Sequence, residues 1–305
     1  MTSVFNSGEQ KLQQLTGEAR MASMNGRIIK EKIVGGAINF IEKQALAFVA
    51  STDPEGQNWA SLLLGDFGFI QVPNNQLVIF DLNKIRSPKE DVFFTNILSN
   101  PQVGLLFIEM ASRIRYRVNG KASIKGQFLE IQIQEAYPNC PKYIQRRDFK
   151  EEQAFLETPA QIEKGKALGS PQLEWIQKAD TFFVASSGAD GRADASHRGG
   201  KAGFVEIVSE DSLRIPDYPG NSMFNTLGKI YENQATGLLF IDFELGKVLQ
   251  LTGKATIQLE QNSEADLQQT GQTGRFWLFH IDQWIMTQKH HQLEWDFIDY
   301  SPFNP

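Results

Sequence analysis

The chain carries a long internal repeat, which constrains its fold more than any other sequence feature. Residues 41–51 align with residues 176–186 at an offset of 135, and the register continues without a gap through Gly203-Phe204. Farther along, residues 104–108 align with residues 237–241 at an offset of 133. Repeats of this size are domains, because solenoid units span only about 20 to 50 residues. The sequence therefore predicts a tandem duplication.

Within each copy, short apolar or alternating segments are separated by turns. Residues 47–51 and 59–64 flank the turn Asp53-Pro54-Glu55-Gly56, in which Pro fixes φ and Gly adopts a positive φ. Residues 103–108 form an apolar run, and residues 113–118 alternate between polar and apolar side chains. Short strands at this spacing favour a closed or nearly closed β-barrel over βαβ units. We therefore predict a mainly β fold with helical additions.

The segments outside the repeats predict the domain boundaries. Residues 9–24 have apolar side chains at helical spacing, which predicts one helix, and a second helix should end near Gln44. Residues 275–298 are rich in aromatic side chains and predict a strand followed by a docked tail. The predicted organisation is an N-terminal helical extension (1–39), a first barrel (40–150), a linker (151–174) and a second barrel (175–305).

Composition excludes several classes of protein. At 305 residues with 41% hydrophobic content, the chain can form two ordinary globular cores. Its net charge of −6 argues against sequence-independent binding of nucleic acid. Cys140 is the single cysteine, so we expect no disulfide and no cysteine-rich metal site. With no apolar run of 18 residues, we expect no membrane span and a cytoplasmic location. His290 and His291 are adjacent, which makes a poor metal pair, and we expect both to be solvated.

A polar cluster in the second repeat replaces apolar residues of the first. Residues 196–201 combine a hydroxyl, an imidazole, a guanidinium, an ammonium and two glycines, whereas the first copy has Leu62-Leu63-Leu64 and Asp66. Cations and N–H donors bind anions, and glycines let the backbone approach a ligand closely. A carboxylate at the ammonium position would repel a phosphate. We therefore predict one pocket for a phosphorylated ligand, in the second repeat, although a polar surface hairpin would have a similar pattern.

The ordered set of motifs resembles a known superfamily. Its parts are a return strand with Ser-x-Arg-Gly, a Gly-Phe pair, the turn at residues 216–221, a short helix and a Gly-Leu-Leu-Phe strand. This pattern resembles the pyridoxamine 5'-phosphate oxidase-like, FMN-binding split-barrel superfamily, over about residues 40–135 and again over 175–285. Residues 139–147 also look like a signature of its two-repeat members. The resemblance implies tandem split barrels that pair as an internal pseudo-dimer, with FMN in the groove between them.

The resemblance also implies which residues bind the cofactor. The return strand would contribute Ser196, His197, Arg198, Gly199, Gly200 and Lys201. The following turn and helix start would contribute Asp217, Tyr218, Asn221, Ser222, Asn225 and Thr226, where free N–H groups add to anion binding. The segment after the first barrel would contribute Lys142, Arg146 and Arg147. No metal ligand is predicted.

The function implied is that of an FMN-binding flavoprotein and flavin-dependent oxidoreductase acting on a small molecule. His197 is the one candidate proton donor of the cluster suited to neutral pH. The chain lacks the superfamily's C-terminal Arg/His/Trp substrate cluster, so oxidation of pyridoxamine phosphate itself is not expected. A non-catalytic carrier or sensor of flavin or haem is the alternative, as is a scaffold without a ligand. The cofactor could also be another flavin or a deazaflavin, and the chain could be a monomer or a homodimer.

Overall fold

The computed structural model describes residues 3–149, 160–291 and 293–305 and contains two large antiparallel sheets. The first sheet consists of β1 (Leu46–Thr52), β2 (Asn58–Leu64), β3 (Ile70–Asn74), β4 (Leu77–Asp81), β5 (Gln102–Glu109), β6 (Ile114–Lys125) and β7 (Phe128–Pro138). Its spatial order is β2-β1-β5-β6-β7-β4-β3. This sheet encloses a core of its own, which is completed by apolar side chains of the helices α3 (Gly35–Glu42) and α4 (Val92–Ser99).

The second sheet repeats this arrangement. It consists of β10 (Thr181–Ser187), β11 (Ala193–Gly199), β12 (Glu206–Ser209), β13 (Ser212–Pro216), β14 (Ala235–Ile241), β15 (Val248–Gln258) and β16 (Phe276–Gln288). Its order, β11-β10-β14-β15-β16-β13-β12, matches that of the first sheet strand for strand. The correspondence is what the sequence repeat predicts, and it bears out a mainly β fold of two split barrels.

The remaining elements surround the two sheets. The helices are α1 (Ser7–Leu15), α2 (Ala19–Asn25), a 3-10 turn (Gly26–Ile28), α5 (Ser170–Lys178), α6 (Asn225–Glu232) and α7 (Glu264–Gln269). Of the short strands, β8 (Arg146–Phe149) pairs with β17 (Trp295–Asp299), and β9 (Gln161–Gly165) extends the second sheet beside β16. Among the described residues, no helix is long and apolar enough to cross a membrane.

The two barrels pack against each other through equivalent strands. A shared core combines apolar side chains of β1 and β2 with those of β10 and β11, and the rings of Phe48 and Phe183 stack within it. Gly104 lies directly against the backbone at Asp194, and its repeat counterpart Gly237 lies directly against the backbone at Trp59. Since both contacts leave no room for a side chain, the repeats meet as an internal pseudo-dimer with matching contacts on both sides.

Two predictions about the connecting segments differ from the structure. The single helix expected over residues 9–24 is broken into α1 and α2, because the chain turns at Gly17, whose φ is +72°. The segment 151–174 is not a simple linker: residues 161–165 form β9 in the second sheet, and α5 begins at Ser170. The part of the predicted linker at residues 151–159 lies outside the described residues.

Candidate functional site

An open cleft lies where the second barrel faces the first, with a cavity volume of about 130 Å³. β11, the loop after β13 and the start of α6 form one wall, and β6 with the segment after β7 forms the other. The lining residues are Glu18, Arg115, Arg117, Asn139, Cys140, Lys142, Tyr143, His197, Arg198, Gly199, Phe204, Pro216, Asp217, Tyr218, Gly220, Asn221, Ser222, Phe224, Asn225, Thr226, Leu227 and Arg275.

Three guanidinium groups from both repeats lie together in this cleft. Arg117 is paired with the buried Asp194 at 3.1 Å, and this carboxylate outweighs the cost of burial and keeps the pKa of Arg117 raised. Arg198 and Arg115 have no salt bridge within the described part of the chain. Burial, with the neighbouring positive charges, lowers the pKa of Arg198 and lowers that of Arg115 to about 9. The cleft therefore carries positive charge that an anion would stabilise.

His197 is held as a neutral imidazole. Burial lowers its pKa well below the usual range, and the charges of Arg115, Arg198 and Arg147 act in the same direction. Its Nδ1 lies 3.3 Å from Nη1 of Arg115. A guanidinium only donates hydrogen bonds, so Nδ1 must accept, which places the ring proton on Nε2. Nε2 is buried and has no protein partner among the described residues.

The start of α6 provides a second source of positive potential. Ser196 and Thr226 hydroxyls lie 2.9 Å apart, and Nη1 of Arg198 reaches Oγ of Ser196 at 3.4 Å. No side chain caps the N-terminus of α6, whose preceding residue, Phe224, has a left-handed backbone. Uncapped N–H groups and the helix dipole favour an anion at this position. We call Ser196, Arg198, Thr226 and the N-terminus of α6 the α6 anion site.

The equivalent position of the first repeat is closed to an anion. Its helix α4 is capped by Asp91, whose carboxylate accepts from the Phe93 N–H at 2.9 Å and from the Ser61 hydroxyl at 2.6 Å. By the repeat register Leu63 stands in place of Arg198, and Gln250 in place of Arg117. A buried carboxylate occupies the position equivalent to the α6 anion site and would repel a phosphate there.

The loop before α6 is held in a strained conformation by the N-terminal extension. Ser222 and Phe224 both have positive φ angles, of 62° and 59°, which non-glycine residues rarely adopt outside functional sites. The side chain of Asn25 donates to the Asn221 carbonyl at 2.7 Å, and that of Gln13 donates to the Met223 carbonyl at 3.1 Å. These contacts from α1 and α2 fix the loop backbone on the floor of the cleft.

A mixed wall of aromatic and paired charged groups faces the cations. The rings of Tyr143 and Tyr218 contact each other at 4.9 Å, and burial raises the pKa of each to about 12. Arg275 is neutralised by Glu18 at 2.7 Å and by Asp217 at 2.9 Å. The uncompensated positive charge therefore lies on the β6 and β11 side of the cleft.

The structure brings together most of the residues that sequence reasoning placed in the site, with several exceptions. Ser196 lies directly beneath the cleft through its contact with Thr226. Gly200 packs against Phe204, and Lys201 is exposed outside the cleft.

The two arginines predicted after the first barrel also lie elsewhere. Arg146 pairs with Asp299, and Arg147 pairs with Asp180 at 2.6 Å while stacking over Phe243. Both belong to β8, which pairs with the C-terminal strand β17. Their positive charges therefore stabilise this pairing and do not line the cleft.

Sequence reasoning did not place Arg115, Arg117, Tyr143 or Arg275 in the site. A signal for the first two was present, because residues 113–118 were predicted to alternate and Arg113, Arg115 and Arg117 share one face of that strand. Combined with the predicted pairing of the repeats, this face could have been assigned to the partner wall. No sequence feature indicated that Arg275 lies in the site, because its position depends on the pairing of β16 with β13.

Comparisons with known proteins agree with this architecture. Residues 37–163, which include the first repeat, match the family model of pyridoxamine 5'-phosphate oxidase. No curated protein matches the chain. The superfamily resemblance inferred from the motifs is confirmed by the family match.

Solved structures that resemble the chain are distant in sequence. HupZ of Group A Streptococcus is 17% identical, with 35% of this chain and 93% of that chain covered and a TM-score of 0.29. A protein of the pyridoxinephosphate oxidase family from Clostridium acetobutylicum is 13% identical, with 42% and 92% covered and a TM-score of 0.29. An FAD-binding protein from Mesorhizobium loti is 9% identical, with 42% and 97% covered and a TM-score of 0.29.

Proposed function

Since the first repeat matches the pyridoxamine 5'-phosphate oxidase family and the second has the same strand order, we propose that the protein is an FMN-binding flavoprotein. Its activity would be that of a flavin-dependent oxidoreductase acting on a small molecule. The observation that carries the proposal is the α6 anion site: an uncapped helix N-terminus beside an unpaired guanidinium and two hydroxyls.

The residues present fit the phosphate of FMN. Arg198 would supply charged hydrogen bonds, and Thr226 would supply a hydroxyl that contacts the buried Ser196 hydroxyl behind it. Gly199 allows the close packing of this strand, because any Cβ there would clash with the carbonyl oxygen of Tyr143. Arg198 is partly buried and has no salt bridge among the described residues, and a dianionic phosphate would supply the missing negative charge.

Within the proposed enzyme, the isoalloxazine ring of bound FMN would accept and donate the electrons. The protein orients the ligand through the α6 anion site and limits the approach of water with Tyr143, Tyr218 and Phe204, which line the cleft. His197 is neutral and its ring proton is on Nε2, so at neutral pH it serves as a hydrogen-bond donor and not as an imidazolium acid.

The test is a fluorescence titration of FMN with the purified protein and two variants. Arg198→Ala removes a charged hydrogen bond, so the dissociation constant should rise by about 10- to 100-fold, corresponding to about 1.5–3 kcal/mol. Lys201→Ala removes the same charge from an exposed position outside the cleft and should leave the dissociation constant nearly unchanged. Equal affinity for FMN in the wild type and Arg198→Ala would remove the α6 anion site from the proposal.

Bleaching of the flavin band distinguishes an enzyme from a carrier. An FMN-loaded enzyme should lose the visible absorbance of oxidised flavin when a nicotinamide reductant or a reduced substrate is added. Unchanged absorbance with every reductant tried would favour storage or delivery of the cofactor.

A further inference from the structure

The chain between β7 and β8 lines the cleft and contains a strained residue. We call residues 139–145 the crossing segment, since it passes from the first barrel onto the second. In it, Tyr143 has a φ of 68°, a left-handed conformation that non-glycine residues keep only where their surroundings hold it. Its carbonyl packs directly against Gly199 of β11, and its hydroxyl donates to the Pro219 carbonyl at 2.8 Å. Tyr143 therefore contacts both the return strand and the turn after β13.

One buried glutamine joins the crossing segment to two other parts of the chain. The Gln145 side chain is 0% exposed, and its Nε2 donates to the Gly200 carbonyl at 2.9 Å and to the Tyr143 carbonyl at 3.3 Å. Its Oε1 accepts from the Ser301 N–H at 2.7 Å and from the Asn304 side chain at 3.0 Å. Because a buried amide is costly to leave unpaired, these contacts favour one arrangement of the three segments.

Ser301 holds the other polar group of the strained backbone. This residue is buried, and its hydroxyl accepts from the Tyr143 N–H at 3.1 Å and from the Phe303 N–H at 3.3 Å. Since the Tyr143 carbonyl is bonded to Gln145, both backbone polar groups of Tyr143 are paired. The left-handed conformation is therefore held by two side chains that do not themselves line the cleft.

The conformation of Tyr143 matters because its ring lies in the cleft. The ring centroids of Tyr143 and Tyr218 are 4.9 Å apart, and both residues line the same cleft as Arg198 and Thr226. A movement of the crossing segment would displace the Tyr143 ring from Tyr218 and change the shape of the cleft. Residues that line a ligand site depend on the residues behind them for their position.

We propose that Gln145 is a positioning residue, which together with Ser301 holds the Tyr143 ring in place as a wall of the FMN cleft. The inference deepens the proposed function and rests on it for the identity of the ligand. Its consequence is that residues 301–304, which do not line the cleft, contribute to ligand affinity through the crossing segment.

The first test is hydrogen exchange in the ligand-free protein, followed by mass spectrometry of a peptide that covers residues 139–147. Gln145→Met keeps the length of the side chain but removes its hydrogen bonds, so exchange in this peptide should be at least about 5-fold faster than in the wild type. Ser301→Ala removes the acceptor of the Tyr143 N–H and should act in the same direction.

Gln250→Met is the matched control. Gln250 is 1% exposed and donates to the Ala60 carbonyl and to the Ser61 hydroxyl, in the groove of the first repeat. Its replacement removes an equally buried amide from the other side of the pseudo-dimer. Exchange in residues 139–147 should therefore stay as in the wild type, which separates the loss of a specific contact from general destabilisation.

The second test is a double-mutant cycle on FMN affinity. Gln145→Met and Tyr143→Ala should each raise the dissociation constant for FMN by about 5-fold or more. Gln145 also bonds to Gly200 beside β11, so the loss in Gln145→Met alone does not show how it arises. If Gln145 acts through Tyr143, the double variant should bind FMN no more weakly than Tyr143→Ala, because no ring is left to position. Gln250→Met should bind FMN like the wild type.

The outcomes separate this inference from the proposed function. Unchanged exchange in Gln145→Met, or losses of FMN affinity that multiply in the double variant, would overturn the positioning role. If the wild type does not bind FMN, the proposed function fails, and the exchange experiment alone then decides whether Gln145 and Ser301 hold Tyr143. If Gln145→Met does not fold, Ser301→Ala takes its place in both experiments.

Discussion

A few side-chain differences between equivalent positions separate a ligand cleft from a structural core. Arg198 and Leu63 occupy equivalent positions on the return strands, as do Arg117 and Gln250 on the strands that face them. Phe224 leaves the N-terminus of α6 uncapped, whereas Asp91 caps α4. Because the backbones correspond, the difference in chemistry between the two halves is carried by these side chains and not by the fold.

The buried histidines also make residue-scale predictions about stability. His290 and His291 were expected to be solvated, but both are buried, and burial lowers the pKa of His290 to about 3 and that of His291 to about 4. In the unfolded chain a histidine takes up a proton below about pH 6.5. Between that value and the folded pKa, the unfolded state binds more protons, so stability falls as the pH falls.

We therefore expect the free energy of unfolding to decrease by up to about 1.4 kcal/mol per pH unit for each of these histidines below pH 6.5. Urea unfolding at pH 7, 6 and 5.5 would measure the slope. His290→Leu should reduce it, because the variant lacks one of the two buried histidines. An identical slope in His290→Leu and wild type would show that His290 is protonated in the folded protein.

Gly199 is a further residue whose identity is fixed by packing. A Cβ at this position would clash with the Tyr143 carbonyl, where the segment after the first barrel crosses the second. Gly199→Ala should therefore destabilise the protein by about 1–3 kcal/mol, as overpacking does, and should weaken FMN binding because β11 moves. Gly36→Ala is the control, since its Cβ would point into open space on α3. Thermal unfolding of both variants tests the difference.

At the scale of elements, the N-terminal helices organise the cleft from outside the barrels. Glu9 of α1 is buried against α6, where its carboxylate accepts from Asn225 at 2.9 Å and lies 3.7 Å from Lys229. Gly8 and Gly228 allow the two helices to approach closely. The extension is thus packed onto the helix whose N-terminus forms the anion site, and it stabilises the strained loop before that helix.

This arrangement predicts that a residue distant from the ligand affects its affinity. Asn25→Ala removes the hydrogen bond to the Asn221 carbonyl, which is worth about 1 kcal/mol. The loop should then sample other conformations, and FMN should bind about 5-fold more weakly with little change in thermal stability. Asn39→Ala, at an exposed position on α3, is the matched control. Isothermal titration calorimetry would measure the FMN affinity of both variants. Unchanged affinity in Asn25→Ala would show that the loop keeps its conformation without this hydrogen bond.

The two barrels and one wall of the cleft could be predicted from the sequence alone. Hydrophobic runs and turn residues located β1, β2 and β5 to within one residue at each end, because these signals are local, whereas β6 continues to Lys125, beyond the predicted end at residue 118. The return-strand cluster was visible for the same reason. Arg275 and Glu18 were not found, since their pairing joins positions 257 residues apart. Lys201, which was predicted on the return strand, lies beyond its end at Gly199 and is exposed, and its role in binding a cofactor stays a prediction.

At the scale of the whole molecule, the chain has two equivalent grooves between its barrels, and they differ in charge because Leu63 and Gln250 stand in place of Arg198 and Arg117. In an ordinary symmetric pair of barrels, both grooves would carry the same residues. Here a single chain encodes both barrels, so each groove can change independently. The first-repeat groove has gained a buried carboxylate at Asp91, and Gln250 stabilises it by donating to Ser61 and to the Ala60 carbonyl. The two grooves therefore differ in their hydrogen bonds as well as in their number of arginines.

We accordingly expect one FMN per chain. Burial raises the pKa of Asp91 to about 6, so at pH 7 this carboxylate is mostly ionised and repels a phosphate at the only other equivalent position. Absorbance of FMN-saturated, desalted protein, compared with its peptide concentration, gives the ratio directly. Two FMN per chain would mean that the first-repeat groove binds flavin although it has no equivalent of the α6 anion site. With a wild-type ratio of one, a rise toward two in Asp91→Asn would show that the carboxylate closes the groove, whereas a ratio of one that persists in Asp91→Asn would show that Leu63 and Gln250 alone are enough to close it.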